Sequence, residues 1–188
     1  SYWLLDEPAC SWPRKQSRSK GVNLTHIANN SGNQEHYTPV RFIDSAREVM
    51  GSIDLDPASN AIANEWIKAD TFYTIENQGL NKEWHGNIWM NPPYNSKSLK
   101  PLIDKLISEN INQAIVLTNN NTDTKAGQTL LQWASAICLV KGRIRFIKPD
   151  GIESKKSPLQ GQIIYYKGDN TKMFKQEFSK HGTVYVKE

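Results

Sequence analysis

Asn91-Pro92-Pro93-Tyr94 sets an amide, two rigid carbonyls and an aromatic ring side by side, directly behind the apolar run Asn87-Ile88-Trp89-Met90. That run follows Gly86 and predicts a short buried strand, which the two prolines end because neither offers an N–H to a sheet ladder. In an open α/β sheet the carboxyl end of a strand is where ligands bind. The chemistry that fits is capture of an exocyclic amino group. The Asn91 oxygen and the Pro92 carbonyl would accept its two hydrogens, and the Tyr94 ring would lie flat against the heterocycle. Two acceptors favour a pyramidal nitrogen whose lone pair points at an electrophile. The preference grows as the nitrogen gains positive charge, so it lowers a barrier rather than only binding. The plainer alternative is a proline-rich turn behind a core strand, with Tyr94 on the surface.

The elements that must position this stretch can be taken in chain order. Phe42, Ile43, Ala46, Val49 and Met50 recur at helical spacing, with Thr38 as the expected cap and Pro39 in the first turn. Ile53 and Leu55 alternate with Asp54 and Asp56, which predicts a short strand closed by the turn Asp56-Pro57-Ala58. Only about thirty residues separate Asp56 from Gly86, so this part of the sheet must be abbreviated. A helix is expected around Leu99–Ile107, a buried strand over Gln113–Leu117, and a polar run from Thr118 to Thr124. A helix near 128–133 then leads to a strand at Ile137–Val140. Gly142 to Lys148 alternates apolar and basic residues and predicts a strand with Arg143 and Arg145 on one face. Gly161–Tyr166 and Thr183–Val186 complete the series as short strands expected to pair antiparallel at the sheet's edge.

Composition bounds the answer without choosing it. The 188 residues suit one domain with a real core, and residues 1–34 read as a partly flexible arm with an aromatic start and a basic cluster. A net charge of +4 permits an acidic partner such as nucleic acid, and a solvated surface with a small lysine excess explains it equally well. Cys10 and Cys138 lie far apart and the four histidines are scattered, so no metal site is expected. No apolar run is long enough to span a membrane and no cleavable signal is visible, so the default setting is the cytoplasm, a host's if the chain is phage-encoded.

Asn91-Pro92-Pro93-Tyr94, together with Asp54-Leu55-Asp56-Pro57-Ala58-Ser59 and Trp84-His85-Gly86, resembles the phage-type DNA N6-adenine (Dam-like) methyltransferases from about Glu35 onward. The resemblance implies a compact Rossmann-like methyltransferase sheet, mostly parallel with antiparallel C-terminal edge strands, over residues 35–188. It implies an adenine-specific, site-specific DNA methyltransferase that uses S-adenosylmethionine and takes its target adenine flipped from the duplex. Asn91, Pro92, Pro93 and Tyr94 would then be the catalytic group. Tyr37, Thr38 and Pro39 would line the cofactor's methionine end, though Thr-Pro is equally a helix cap. Asp54 or Asp56, with Pro57 and Ala58, would hold a ribose hydroxyl or the methionine amino group, though an Asp-Pro turn before a helix looks the same. Asp70 is a further cofactor candidate or a turn aspartate. Ser59 and Asn60 stand where this class commonly has glycines. Asn95, Lys97, Asn119, Asn121, Arg143 and Arg145 would face DNA; ordinary loops and solvated edge residues are the alternative. The same motif also serves RNA bases and protein glutamine amides, and a non-catalytic DNA-binding protein on this scaffold is a third possibility. Recognition sequence and oligomeric state are left open.

Overall fold

The apolar stripe after Pro39 forms helix α1 (Val40–Met50), and Phe42, Ile43, Ala46, Val49 and Met50 are all buried. Its cap is Pro39 rather than Thr38, whose hydroxyl makes no capping bond and turns to another partner. The chain then runs through β1 (Leu55–Asp56), α2 (Ala61–Ile67), β2 (Thr71–Phe72), a 3-10 turn at Gly79–Asn81, and β3 (Asn87–Met90). It continues through α3 (Ser96–Ser108), β4 (Gln113–Asn119), α4 (Lys125–Trp133), β5 (Ala136–Val140), β6 (Gln162–Lys167), α5 (Thr171–Phe178) and β7 (Gly182–Val186). This computed structural model describes residues 37–74, 79–94, 96–148, 152–154 and 158–188, with Ser96 and Lys97 as backbone alone. The arm expected over residues 1–34, Asn95 and the Lys97 side chain lie outside the described residues.

The strands form one seven-stranded sheet in the order β2-β1-β3-β4-β6-β5-β7. It is mixed rather than mostly parallel: three pairings (β1–β2, β1–β3, β3–β4) are parallel and three (β4–β6, β5–β6, β5–β7) antiparallel. β6 is not an edge strand. Its run Ile163-Ile164-Tyr165-Tyr166 is buried on both faces, and it sits between β4 and β5, antiparallel to each. β6 and β7 do not pair with each other, because α5 lies between them in the chain and packs Phe174 and Phe178 into the core. The strand expected over 142–148 is extended chain without a ladder. Ile144 and Phe146 are buried and Arg143 and Arg145 exposed, as the alternation required, but the backbone partners come from elsewhere. The Ile144 N–H donates to Gln162 Oε1 at 2.8 Å, and Ile147 bridges to Tyr37 and Glu153.

Helices α1, α2 and α5 cover one face, meeting Trp89, Ile115, Leu117 and Ile164; α3 and α4 cover the other, meeting Ile88, Met90, Val116 and Ile163. At the amino ends of the parallel strands a polar clasp sets the register. Asp54 Oδ2 accepts the Asn87 N–H at 2.8 Å and Oδ1 accepts the Ser52 hydroxyl at 2.6 Å. The Asn87 amide donates to the Met50 carbonyl, closing the α1 end. Gly86, at φ +76, makes this possible: a Cβ there would fall 2.3 Å from Asp54 Oδ2 and 2.9 Å from Asp54 Cβ. Gly86→Ala is therefore expected to destabilise the fold by about 2–4 kcal/mol, from positive-φ strain plus displacement of the carboxylate. Chemical denaturation tests this; an unchanged midpoint would show that the clasp is dispensable.

Candidate active site

Since β1, β3 and β4 are parallel neighbours, their carboxyl ends open on one rim, and Asp56, Asn91 and Asn119 are placed there. Asn91 follows the last residue of β3 and is half-buried; Pro92 is buried and Pro93 exposed. Both ends of the Asn91 amide are held. Nδ2 donates to Thr38 Oγ1 at 3.1 Å, and Oδ1 accepts the Tyr94 hydroxyl at 2.6 Å. Burial pushes the Tyr94 phenol well above its ordinary range, so it stays protonated and remains a donor. An amide oxygen has two acceptor sites, and Tyr94 takes one of them.

Of the three acidic residues singled out in the sequence, only Asp56 reaches this rim. Both Asp54 oxygens belong to the clasp at the opposite strand ends. Asp70 is exposed, and its N–H bonds the Ile53 carbonyl at the amino side of β2. Asp56 is 2% exposed, with Oδ1 accepting the Ala58 N–H at 3.2 Å. Burial raises its pKa to about 7; the Ala58 N–H and the nearby Ser59 hydroxyl pull the value back only partly. Ser59 Oγ approaches Asp56 but completes no hydrogen bond, and is left buried and unsatisfied. Pro57 is buried; its carbonyl would lie 3.0 Å from any Cβ at Gly79, so the turn after β1 is closely backed. Tyr37 stacks on Trp66 with centroids 5.3 Å apart, and exchanges two 2.8 Å backbone bonds with Ile147. Trp66 was not among the residues the sequence pointed to, and Ser59 entered there only as a departure from a glycine position. An aromatic at the end of a short helix and a serine in a glycine position were the available signals.

Farther along the rim, Asn119 and Asn121 are joined through Gln160, another residue the sequence left unremarked in a polar loop. Asn119 Nδ2 donates to Gln160 Oε1 at 2.7 Å, and Gln160 Nε2 to Asn121 Oδ1 at 3.1 Å. Arg143 and Arg145 are exposed beyond β5, and the Arg143 guanidinium donates to the Pro158 carbonyl at 2.9 Å. A cavity of about 260 Å³ opens between α3 and α4, walled by Tyr94, Leu99, Ile103, Thr118 and Leu130. Among the described residues no cluster of metal-ligating side chains occurs, and no helix is long and apolar enough to cross a membrane.

The Asp56 shift has a consequence for stability. The unfolded chain releases this proton near the ordinary 3.8, the folded chain at about 7. Between those values the fold keeps a proton the unfolded chain has given up, so stability falls as pH rises from about 4 to about 7 and stays lower above. Asp56→Asn is expected to melt higher than the parent at pH 8, by at least about 1 kcal/mol of stability, with no gain at pH 4. Equal melting shifts at both pH values would count against a carboxyl held neutral by burial.

Comparison with curated proteins finds no match. A family model described as DNA N-6-adenine-methyltransferase (Dam) matches residues 25–185, which takes in the whole rim and every strand of the sheet but the last residue of β7. With that match over most of its length, the chain belongs to the Dam family of DNA N6-adenine methyltransferases.

Proposed function

We propose that this chain transfers a methyl group from S-adenosylmethionine to N6 of an adenine turned out of duplex DNA, with residues 35–188 as the methyltransferase domain and 1–34 as an appended arm. The observation that carries the reading is the Asn91 amide, held on both sides at the carboxyl end of β3 with its oxygen toward Tyr94. Asn91 Oδ1 and the Pro92 carbonyl take the two amino hydrogens and concentrate the nitrogen lone pair. A neutral amide suffices, since the alkylated nitrogen becomes acidic and sheds its proton to solvent. The Tyr94 ring stacks on the base, and the adjoining cavity is somewhat below the usual pocket range of about 300–1,000 Å³, a size suited to one base. Turning the base out costs a few kcal/mol, offset by stacking and by phosphate contacts.

The turn after β1 fits the cofactor. Ser59 Oγ is a buried polar atom lacking a partner, and Asp56 beside it is a buried carboxyl able to ionise against an ammonium or accept from a ribose hydroxyl. Pro57 and Ala58 shape the same turn. Bound S-adenosylmethionine supplies an electrophilic methyl group. The protein's own contribution is orientation of the amino group and exclusion of water. Asn119 and Asn121, braced by Gln160, and the exposed Arg143 and Arg145 would meet the nucleic acid, where arginines supply salt-dependent phosphate contacts.

Incubation with methyl-labelled S-adenosylmethionine and unmethylated DNA, followed by digestion to nucleosides, tests the reading. Label is expected in N6-methyladenine. Asn91→Ala is expected to lower transfer by a factor of at least about 100 while leaving cofactor affinity within about twofold. Label in RNA or protein but not in DNA would refute the substrate assignment, and full activity in Asn91→Ala would refute the catalytic one.

A further inference from the structure

We propose that Thr38 is a positioning residue for Asn91, acting through the amide rather than on the cofactor; the inference rests on the methyl-transfer reading of the same site. An asparagine differs from a carboxylate in having a sense. Rotation by half a turn about its last torsion replaces an acceptor by an NH2 donor, and that torsion is intrinsically broad. Facing an amino group, the rotated amide would set donor against donor. The side chain therefore needs partners that hold its plane, and the structure supplies two hydroxyls of different character.

Thr38 is the fixed one. It is 3% exposed, and the following Pro39 confines its backbone to extended conformations. Tyr37 before it is tied by two 2.8 Å backbone bonds to Ile147, and α1 after it is buried along one stripe. Its hydroxyl does no helix capping and instead accepts Asn91 Nδ2–H at 3.1 Å. Tyr94 is the replaceable one. Its O–H donates to Oδ1 at 2.6 Å, as an incoming amino N–H would. Substrate can then exchange donor for donor at Oδ1 while the Thr38 bond persists and keeps the oxygen facing the base.

Thr38→Val keeps shape and branching but removes the acceptor, and Thr38→Ser restores it. Two readouts apply. In proton–nitrogen spectra, the Asn91 side-chain NH2 is expected to be protected from solvent exchange in the parent, to lose about tenfold in protection in Thr38→Val, and to regain it in Thr38→Ser. In kinetics, Thr38→Val is expected to lower kcat about tenfold with KM for DNA within about twofold and S-adenosylmethionine affinity unchanged, and Thr38→Ser to recover kcat. Thr38→Ala serves if the valine variant does not fold. An Asn91 amide equally protected in the variants would overturn the proposal, as would a loss of cofactor affinity parallel to the loss of kcat. Absence of any transfer by the parent would instead refute the methyl-transfer reading, and the exchange measurement would still decide whether Thr38 holds the amide.

Discussion

The carboxylate of Asp54, accepting the Asn87 N–H and the Ser52 hydroxyl, is the contact on which the parallel part of the sheet depends. It belongs to a chain of polar groups along the amino ends of the strands. The Asn87 and Gln113 amides both donate to the Met50 carbonyl, the Tyr166 hydroxyl donates to Gln113 Oε1, and the Asn170 N–H donates to Tyr166. Half-buried polar groups of this kind cost free energy unless every one is paired, so the chain tolerates essentially one register of β1, β3 and β4. With the amino ends committed in this way, chemistry is left to the opposite rim. Asp56, Asn91 and Asn119 are the residues the strands deliver there.

At that rim two side chains differ in what burial costs them. Asn91 is neutral, so it offers an acceptor without a buried charge to desolvate. Asp56 is buried with too few donors to offset its desolvation, which raises its pKa to about 7, and the neighbouring Ser59 hydroxyl is left unanswered. A packed core would normally eliminate such a pair, so its retention at the end of β1 is a local cost in stability. The bond that the Asn91 amide donates to the Thr38 hydroxyl, and the one it accepts from Tyr94, supply stiffness where a loop of two prolines offers no ladder.

The lead-in to α1 shows how distant segments combine. Tyr37 stacks on Trp66 from α2 and pairs with Ile147, far along the chain, and this brings the extended stretch bearing Arg143 and Arg145 toward the motif residues. Gln162, by giving its side-chain oxygen to the Ile144 N–H, lets that stretch remain extended without joining the sheet.

Much of this was determined by the sequence alone. The stripe of α1, the buried β3 ended by two prolines, the turn Asp56-Pro57-Ala58 and the alternation around Ile144 and Phe146 all follow from local periodicity and from what proline and aspartate do to a backbone. Tertiary structure decided the rest. Whether Ile163 to Tyr166 lies at an edge or between two strands depends on which chains flank it, and a continuous apolar run does not say. Phe174 and Phe178 four residues apart are too few to announce α5 without the core they fill. Which of Asp54, Asp56 and Asp70 reaches the rim depends on strand direction, and whether Thr38 caps a helix or holds Asn91 depends on a contact across 53 residues of chain. Pairings between distant residues are set by packing and closure of the whole sheet, and no local pattern encodes them.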